Sequence, residues 1–274
     1  MTKPSIVGDL RGSGRAVGAF NVIMLEHAEA VVGGAEDAGL PVILQISQNA
    51  VRYHGALAPL ALACLSMAGS AAVPVIVHLD HAEDETLIDE AVALGIPSVM
   101  VDAATLPYEQ NVARTRAVTD RCHAAGVWVE AELGAIGGKD GAHAPGVRTD
   151  PAEAASFVAA TGVDALAVAV GSSHAMASRD AVLDDDLIAR LAAAVPVPLV
   201  LHGSSGVPDE GLRRAVAAGI VKVNVGTLLN RALTGAVRDV LAADARLSDP
   251  RKYLSPARAA VRTEVARTLT LLAA

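Results

Sequence analysis

A repeat places the strongest constraint on the fold of this chain, because short β-branched runs alternate with Ala-rich stretches that have helical spacing. The runs begin 23 to 38 residues apart, the length of one strand, one helix and two loops. Such apolar strands, connected through helices, are typical of a parallel sheet covered on both faces. The eight runs lie at 16–22, 41–47, 74–80, 98–103, 127–133, 165–170, 198–203 and 221–226.

Eight strand and helix units in 274 residues predict an α/β fold, a closed (β/α)8 TIM barrel that forms a single domain over residues 1–274. The connecting segments carry helix signals, as in 84–91, where charges cluster at the start and Gly95 follows the end. An open, doubly wound sheet is the alternative, because repetition alone does not prove closure. Its glycine-rich loop is missing after the first run, where residues 21–26 read NVIMLE, and this favours the closed barrel.

Composition excludes several classes of partner. The net charge is −8 and the sequence has no run of Lys or Arg, which argues against binding to nucleic acid or to an anionic membrane surface. The uncharged stretch 55–77 is long enough to cross a bilayer, but Pro59, Gly69 and Pro74 interrupt it. We therefore predict no membrane span.

Cysteine usage points to a reducing compartment. Cys64 and Cys122 are too few for a disulfide framework and have no CxxC spacing, so we expect buried free thiols. The first residues also lack the apolar segment of a secretion signal, since Asp9 and Arg11 come early. A cytoplasmic location is the prediction.

Polar residues recur where the predicted strands end. In a (β/α)8 barrel these ends converge on one face, which carries the active site. One polar residue after an apolar run means little, because strands end where polarity begins, but eight converging ends predict a functional site. The residues are Asn21, Ser47, Asp80 with His81, Asp102, Glu130 with Glu132, His174, His202 and Asn224.

Three of these residues are histidines from different strand ends. Neutral imidazole is a common zinc ligand, so His81, His174 and His202 predict a metal site whose fourth position is open to water or substrate. The alternative is that each histidine is an ordinary hydrogen-bonded residue at a strand end. Asp102 and Glu132 either orient the histidines or form an alternative metal position.

Small-residue turns follow the last two strands, with HGSSG at 202–206 and NVGT at 224–227. The loops after strands seven and eight form the recurrent phosphate site of this fold. Backbone N–H groups and hydroxyls there bind an anion without a basic side chain, which suits an acidic protein. An ordinary tight turn is the alternative for each segment.

Taken together, the motifs resemble those of the class II, metal-dependent fructose-bisphosphate and tagatose-bisphosphate aldolase family. They follow the family order from residue 16 to residue 258. They are VGAFNV at 17–22, HLDH at 78–81, VEAELG at 129–134, VGSSH at 170–174, LHGSSG at 201–206, KVNVGT at 222–227 and DPRKYL at 249–254.

The resemblance implies a zinc-dependent aldolase that reversibly cleaves a ketose 1-phosphate or 1,6-bisphosphate to dihydroxyacetone phosphate and an aldehyde. Asp80 would be the acid/base residue, and His81, His174 and His202 would bind one Zn²⁺ per subunit, with Na⁺ or K⁺ near the phosphate. A homodimer or homotetramer is expected, with Arg258 reaching the distal phosphate, often across the subunit boundary. With the strand-end residues Asn21 and Ser47, the predicted substrate-binding set is Asn21, Ser47, Gly203, Ser204, Ser205, Asn224, Gly226, Thr227 and Arg258.

The chain departs from the family pattern in three places. The loop 137–141 is short and lacks the glutamate that handles the C3 proton, so Asp140 is the nearest substitute. Residues 175–180 read AMASRD where the family has Gly, an aromatic residue and Lys. Asp102 is followed by two alanines instead of Gly-Ser. These departures leave the sugar unassigned.

Three other activities compete with this prediction. A Schiff-base aldolase would need a desolvated lysine; Lys222 shares strand parity with Asn224, but lies deeper, where pairing with Glu130 is favoured. A metal-dependent barrel hydrolase would use the three imidazoles but would leave the phosphate turns unexplained. A catalytically reduced sugar-phosphate-binding protein would explain the missing C3 base, but not Asp80 beside a metal ligand.

Overall fold

The structure, a computed structural model, describes residues 5–133, 148–172 and 179–274. Its parallel strands pair in chain order, and β8 pairs with β1, so the sheet closes into a barrel. The prediction of a (β/α)8 TIM barrel is confirmed. The strands are β1 (Val17–Asn21), β2 (Val42–Ser47), β3 (Val75–Ala82), β4 (Ser98–Val101), β5 (Trp128–Glu132), β6 (Ala165–Ala167), β7 (Leu199–Leu201) and β8 (Ile220–Val225).

Helices surround the barrel. They are α1 (Ser5–Asp9), α2 (Leu25–Ala38), α3 (Gln48–His54), α4 (Ala58–Ser70), α5 (Glu85–Ala93), α6 (Tyr108–Ala124), α7 (Pro151–Thr161), α8 (Asp185–Ala194), α9 (Asp209–Ala218), α10 (Thr227–Ala243) and α11 (Pro250–Ala273), with a 3-10 turn at Ser204–Gly206. Of these, α2 to α9 connect successive strands, α1 precedes β1, and α10 and α11 follow β8.

Each strand overlaps its predicted run, and the differences lie at the ends. The third strand is longer than predicted, because β3 continues to Ala82. The sixth is shorter and ends at Ala167. Beyond that point, the carbonyl of Ala169 accepts from Thr149 N–H and that of Val170 accepts from Asp184 N–H. Val168 N–H still donates to the carbonyl of Val200 in β7, but the next residues bond to loops, so the run stays buried without continuing as a strand.

Strand parity divides the buried side chains into two sets. Outward residues such as Phe20, Leu44 and Leu79 pack under the helices in the main apolar core. Inward residues at the amino ends of the strands form a separate apolar cluster inside the barrel, which includes Ile43 and Ile76. On several strands the next inward positions, such as Gln45, His78, Glu130 and Lys222, are polar, and they lead to the carboxyl ends.

The uncharged stretch 55–77 divides between two elements. It contributes α4 and the beginning of β3, separated by a turn before Val75. In the part of the chain that the structure describes, no helix combines the length and the apolar character needed to cross a membrane. The prediction that this stretch is not a membrane span agrees with this finding.

Both cysteines are buried free thiols, as predicted. Burial raises the pKa of the Cys64 thiol to about 12 and that of Cys122 to about 11. Both groups are therefore thiols at neutral pH, and their role is packing.

The last helix, α11, packs against the first long helix, α2, and completes the outer layer. The close approach depends on Gly34, because a β-carbon there would lie 2.6 Å from the carbonyl oxygen of Arg262 and 2.8 Å from Cβ of Val265. The Arg262 guanidinium forms two hydrogen bonds to the carboxylate of Asp37, each 2.6 Å long. The two helices are thus held by backbone contact and by an ion pair.

The Gly34→Ala variant should be destabilised by about 1–3 kcal/mol, because α11 must move away from α2 to accommodate the new methyl group. The matched control is Gly235→Ala in the interior of α10, where an added β-carbon meets nothing within 4 Å. The control should gain about 0.5–1 kcal/mol through better helix propensity. Urea unfolding of both variants measures their free energies of unfolding. Equal values would mean that the contact between α2 and α11 has room for a methyl group.

Candidate metal centre and active site

Four strands deliver acidic and imidazole side chains to the carboxyl-end face of the barrel. Asp80 and His81 lie near the end of β3, Asp102 follows β4, Glu132 ends β5, and His202 follows β7. Because all the strands are parallel and the sheet is closed, these chain-distant residues meet at one place.

The backbone of His81 has an unusual conformation. Its φ is +49°, in the left-handed region, and the pairing of β3 with β4 shifts register between Leu79 and Ala82. A non-glycine residue in this region costs about 1–3 kcal/mol, and such residues cluster at functional sites. The bulge turns the His81 ring away from the regular strand alternation and toward its neighbours on the barrel face.

Asp80, His81 and His202 form one potential metal-binding group. One ligand atom from each lies within 4.8 Å of the others. The His81 and His202 rings meet edge to face at 4.7 Å between centroids, and Nε2 of His81 is 3.8 Å from Oδ2 of Asp80. Asp80 is 2% exposed and its Oδ1 has no hydrogen-bond partner among the described residues. Two imidazoles and a carboxylate with a spare buried oxygen are a donor set that suits a divalent cation such as zinc.

A second group lies on the other side of the His81 ring. Nδ1 of His81 is 2.7 Å from Oδ2 of Asp102 and 3.9 Å from Oε2 of Glu132. The same Glu132 oxygen is 3.6 Å from Nδ1 of His202. His81, Asp102 and Glu132 also offer ligand atoms within 4.8 Å of one another. The two interpretations of Asp102 and Glu132, as orienting carboxylates or as an alternative metal position, both fit this geometry.

Hydrogen bonds assign the nitrogen that each histidine presents. His81 donates from Nδ1 to Asp102, which leaves the lone pair on Nε2, the atom that faces Asp80. His202 donates from Nε2 to Oε1 of Glu130 over 3.0 Å, which leaves the lone pair on Nδ1. Fixing one ring nitrogen through a carboxylate is the usual way of orienting a metal-binding imidazole.

The turns after β7 and β8 lie against each other. Gly203 has φ +66°, Ser204 donates its hydroxyl to the Asn224 carbonyl, and Oγ of Ser205 accepts from the backbone of Leu228. The hydroxyls of Ser204 and Ser205 therefore hold the two turns together. Asn224 is 7% exposed, its side-chain amide atoms are buried, and neither of them has a partner among the described residues.

Gly226 precedes the 17-residue helix α10 as its N-cap and Thr227 is the first helical residue, and the amino end of this helix favours an anion. Asn21 lies beside this turn, because a β-carbon on Gly226 would be 3.0 Å from Nδ2 of Asn21. Oδ1 of Asn21 accepts from Gln45. The structure thus brings Asn21 together with the predicted phosphate turns.

Two predicted substrate residues have other contacts. Ser47 caps α3, accepting from Ala50 N–H over 3.2 Å. Arg258 pairs with Glu29, so it bridges α11 and α2 on the outside of the barrel. His174 and Asp140 lie outside the described residues.

Lys222 is fully buried inside the barrel, and its Nζ donates to Oε2 of Glu130 over 2.7 Å. The predicted pairing with Glu130 is confirmed, and it leaves the amine engaged rather than poised for imine chemistry. His78 lies in the same region, bonded through Nδ1 to the Ser98 hydroxyl at 2.6 Å. Burial, and then the Lys222 charge, lower the pKa of His78 well below its usual value, so this imidazole is neutral.

From the sequence we assign His78 no role in the site and Lys222 only its pairing with Glu130, although strand periodicity points to both residues. His78, Glu130 and Lys222 each precede a strand-end residue by two positions, and this spacing places each of them on the same strand face as that strand-end residue. The same parity finds interior polar residues on β3, β5 and β8, whereas the corresponding residues of β4 and β7, Met100 and Val200, are apolar.

Comparison with known proteins gives the family. Residues 4–274 match the family model "Fructose-bisphosphate aldolase class-II". The chain belongs to this family. It is a class II aldolase, a carbon–carbon lyase of a metal-dependent family whose substrates are sugar phosphates.

Individual relatives agree with the family assignment. The chain is 38% identical to the fructose-bisphosphate aldolase of Staphylococcus aureus strain Mu50, over 94% of this chain and 91% of that protein. The crystal structure of the YdjI aldolase from Escherichia coli K12 is 33% identical, with a TM-score of 0.86, over 97% of this chain and 94% of that chain. The fructose-bisphosphate aldolase from Campylobacter jejuni shares the fold, with 23% identity, a TM-score of 0.82, and coverage of 98% and 93%.

Proposed function

We propose that this class II aldolase is zinc-dependent and cleaves a ketose 1-phosphate or 1,6-bisphosphate of the fructose or tagatose type to dihydroxyacetone phosphate and an aldehyde. The convergence of Asp80, His81 and His202, with one ligand atom from each within 4.8 Å of the others, is the observation that carries the proposal. It puts a carboxylate suited to proton transfer next to two imidazoles suited to the metal.

The metal would be held by His81 and His202, with His174 as the third ligand by resemblance to the family. Asp102 and Glu132 would orient the imidazoles or offer a neighbouring position. When bound, zinc acts as a Lewis acid that polarises the substrate carbonyl and offsets the negative charge that develops beside it.

In cleavage, Asp80 takes the proton of the C4 hydroxyl, the C4–O electrons form the aldehyde, and the electrons of the C3–C4 bond remain on C3. A proton then adds to C3 and gives dihydroxyacetone phosphate. In synthesis both transfers reverse, and Asp80 returns its proton to the C4 oxygen. Asp140 is our candidate for the transfer at C3, because it is the carboxylate in the short loop 137–141.

The phosphate would be bound by Gly203, Ser204, Ser205, Gly226 and Thr227. The two turns adjoin the amino end of α10, which supports binding of an anion by backbone N–H groups. The Asn224 amide has unused hydrogen-bonding capacity for the substrate. Asn21 and Ser47 complete this set, with Na⁺ or K⁺ close to the phosphate.

In a homodimer or homotetramer, Arg258 would contact the distal phosphate of a substrate bound in the neighbouring subunit. Its exposed position on α11, outside its own barrel, is compatible with such a contact, for which Arg258 must leave Glu29. We also propose a cytoplasmic location, which the two free cysteines support.

The first test is a panel of fructose and tagatose phosphates, assayed for release of dihydroxyacetone phosphate before and after chelation. Activity should disappear with the metal and return with Zn²⁺ or Co²⁺, because both prefer the same nitrogen and oxygen ligands. Full activity in metal-free enzyme would overturn zinc dependence. Metal binding with no release from any sugar would favour the catalytically reduced binding protein, and phosphate release without carbon–carbon cleavage would favour the hydrolase.

The Asp80→Asn variant should retain the metal and lose cleavage by about 10²- to 10⁴-fold, because it removes proton transfer while keeping the shape of the side chain. Asp84→Asn is the matched control, since Asp84 caps α5 in the same loop and asparagine caps helices equally well. A loss below about tenfold in Asp80→Asn would assign the proton transfer to another carboxylate, with Glu132 next to test.

The Asp140→Asn variant should slow exchange of the C3 proton of dihydroxyacetone phosphate with solvent by about 10² or more, as expected when a general base is removed. Exchange followed by NMR in deuterated water isolates this step from the one that needs Asp80. Asp150→Asn, at the cap of α7, is the control. An unchanged exchange rate would remove Asp140 from the mechanism.

A further inference from the structure

A chain of three fully buried polar side chains crosses the barrel beneath the candidate site. Lys222 donates from Nζ to Oε2 of Glu130 over 2.7 Å, and His202 donates from Nε2 to Oε1 of the same carboxylate over 3.0 Å. All three side chains are 0% exposed. They come from β8, β5 and the end of β7, so the barrel alone brings them together.

Stability does not account for these three hydrogen-bonded side chains. Replacing a buried ion pair by apolar side chains of similar volume is often neutral or stabilising, because removing two charges from water costs more than their attraction returns. The neighbouring layer of the same barrel is filled in that way, by Val17, Ile43, Ile76 and Val221. An apolar filling is therefore compatible with this barrel, and the charges call for another explanation.

The carboxylate of Glu130 is constrained from both sides. Lys222 has only hydrogen-bond donors, so it must face an oxygen, and in the structure it takes Oε2. Oε1 is then directed at His202, where an oxygen can only accept. The His202 proton consequently lies on Nε2, and Nδ1, which is 3.6 Å from Oε2 of Glu132, carries the lone pair on the side of the metal-binding groups.

We propose that Glu130 and Lys222 are positioning residues, which act together to fix the tautomer and orientation of His202 so that it presents Nδ1 to the metal. This inference rests on the metal site of the proposed function. Glu130 acts through its hydrogen bond to His202, and Lys222 acts one step further away by holding the same carboxylate through its other oxygen.

Glu130→Gln tests this coupling. The amide has one oxygen, and Lys222 requires it, so the NH₂ group turns toward Nε2 of His202. Nε2 must then accept, the ring proton moves to Nδ1, and the metal ligand is lost. Metal affinity should fall by about 10- to 100-fold, the usual effect of losing a carboxylate that orients a ligand.

The double variant Glu130→Gln with Lys222→Met should recover most of that loss. Without the lysine, the amide oxygen is available to His202, and its original tautomer returns. If Lys222 had only a packing role, the double variant should bind the metal more weakly than Glu130→Gln, since a second change in the barrel interior would disturb the site further. The recovery is a coupling between two residues that act on one atom.

The measurement is Co²⁺ affinity of the metal-free enzyme, followed by visible absorption in competition with a chelator. Ser98→Ala is the matched control, because Ser98 is buried inside the same barrel but bonds to His78. Its Co²⁺ affinity should equal that of wild type. Circular dichroism and thermal unfolding establish that each variant is folded.

The outcomes separate the two proposals. Failure of the wild type to bind Co²⁺ would overturn the metal site itself. Wild-type binding together with unchanged affinity in Glu130→Gln, or with a double variant no better than Glu130→Gln, would overturn the positioning role alone.

A comparison of that double variant with a second one keeps the test decisive if Glu130→Gln does not fold. Both partners of the ion pair are then replaced by neutral groups, once as Glu130→Gln with Lys222→Met and once as Glu130→Leu with Lys222→Met. Only the first double variant retains an acceptor for His202, so it should bind Co²⁺ about 10- to 100-fold more tightly than the second. Equal affinities would overturn the proposal.

Discussion

Pairing of β8 with β1 is the interaction on which the rest of the molecule depends. It removes the edges of the sheet and forces every strand to send alternate side chains into a common interior. The apolar cluster at one end of that interior, the buried ion pair in the middle and the candidate metal-binding groups at the other end follow from this single closure. An open sheet of the same strands would keep Glu130 and Lys222 far apart.

The barrel interior changes character along its axis. Around Ile43 and Ile76 it is an ordinary apolar core, whereas around Glu130 it contains charge that is costly to bury. His81 adds a left-handed backbone at the upper end. These unfavourable features are concentrated at the candidate site. Their cost is offset by packing of the helices on the outward core and by the contact between α2 and α11.

The barrel could be predicted well from the sequence, because parallel strands that are buried on both faces appear as apolar runs that end in polar residues. The same pattern brings His81 and His202 together as candidate metal ligands. Strand parity also predicts the pairing of Lys222 with Glu130. The partners of the histidines are harder to predict, since they depend on register between distant strands: Glu130 is 72 residues from His202. Local capping explains why Ser47 bonds to its own helix, and packing of α11 on α2 explains the Glu29 contact of Arg258; neither is readable from a strand-end pattern.

The joining of α11 to the first strand affects how the protein is made. The amide of Ala16 donates to the carbonyl of Leu272 over 2.9 Å, and α2 is covered by a helix that leaves the ribosome long after it. During synthesis, the side of α2 that α11 covers therefore stays exposed while more than two hundred further residues are added. Non-local contacts of this kind slow folding and expose aggregation-prone surfaces. The nascent barrel therefore exposes this side of α2 until its final helix docks.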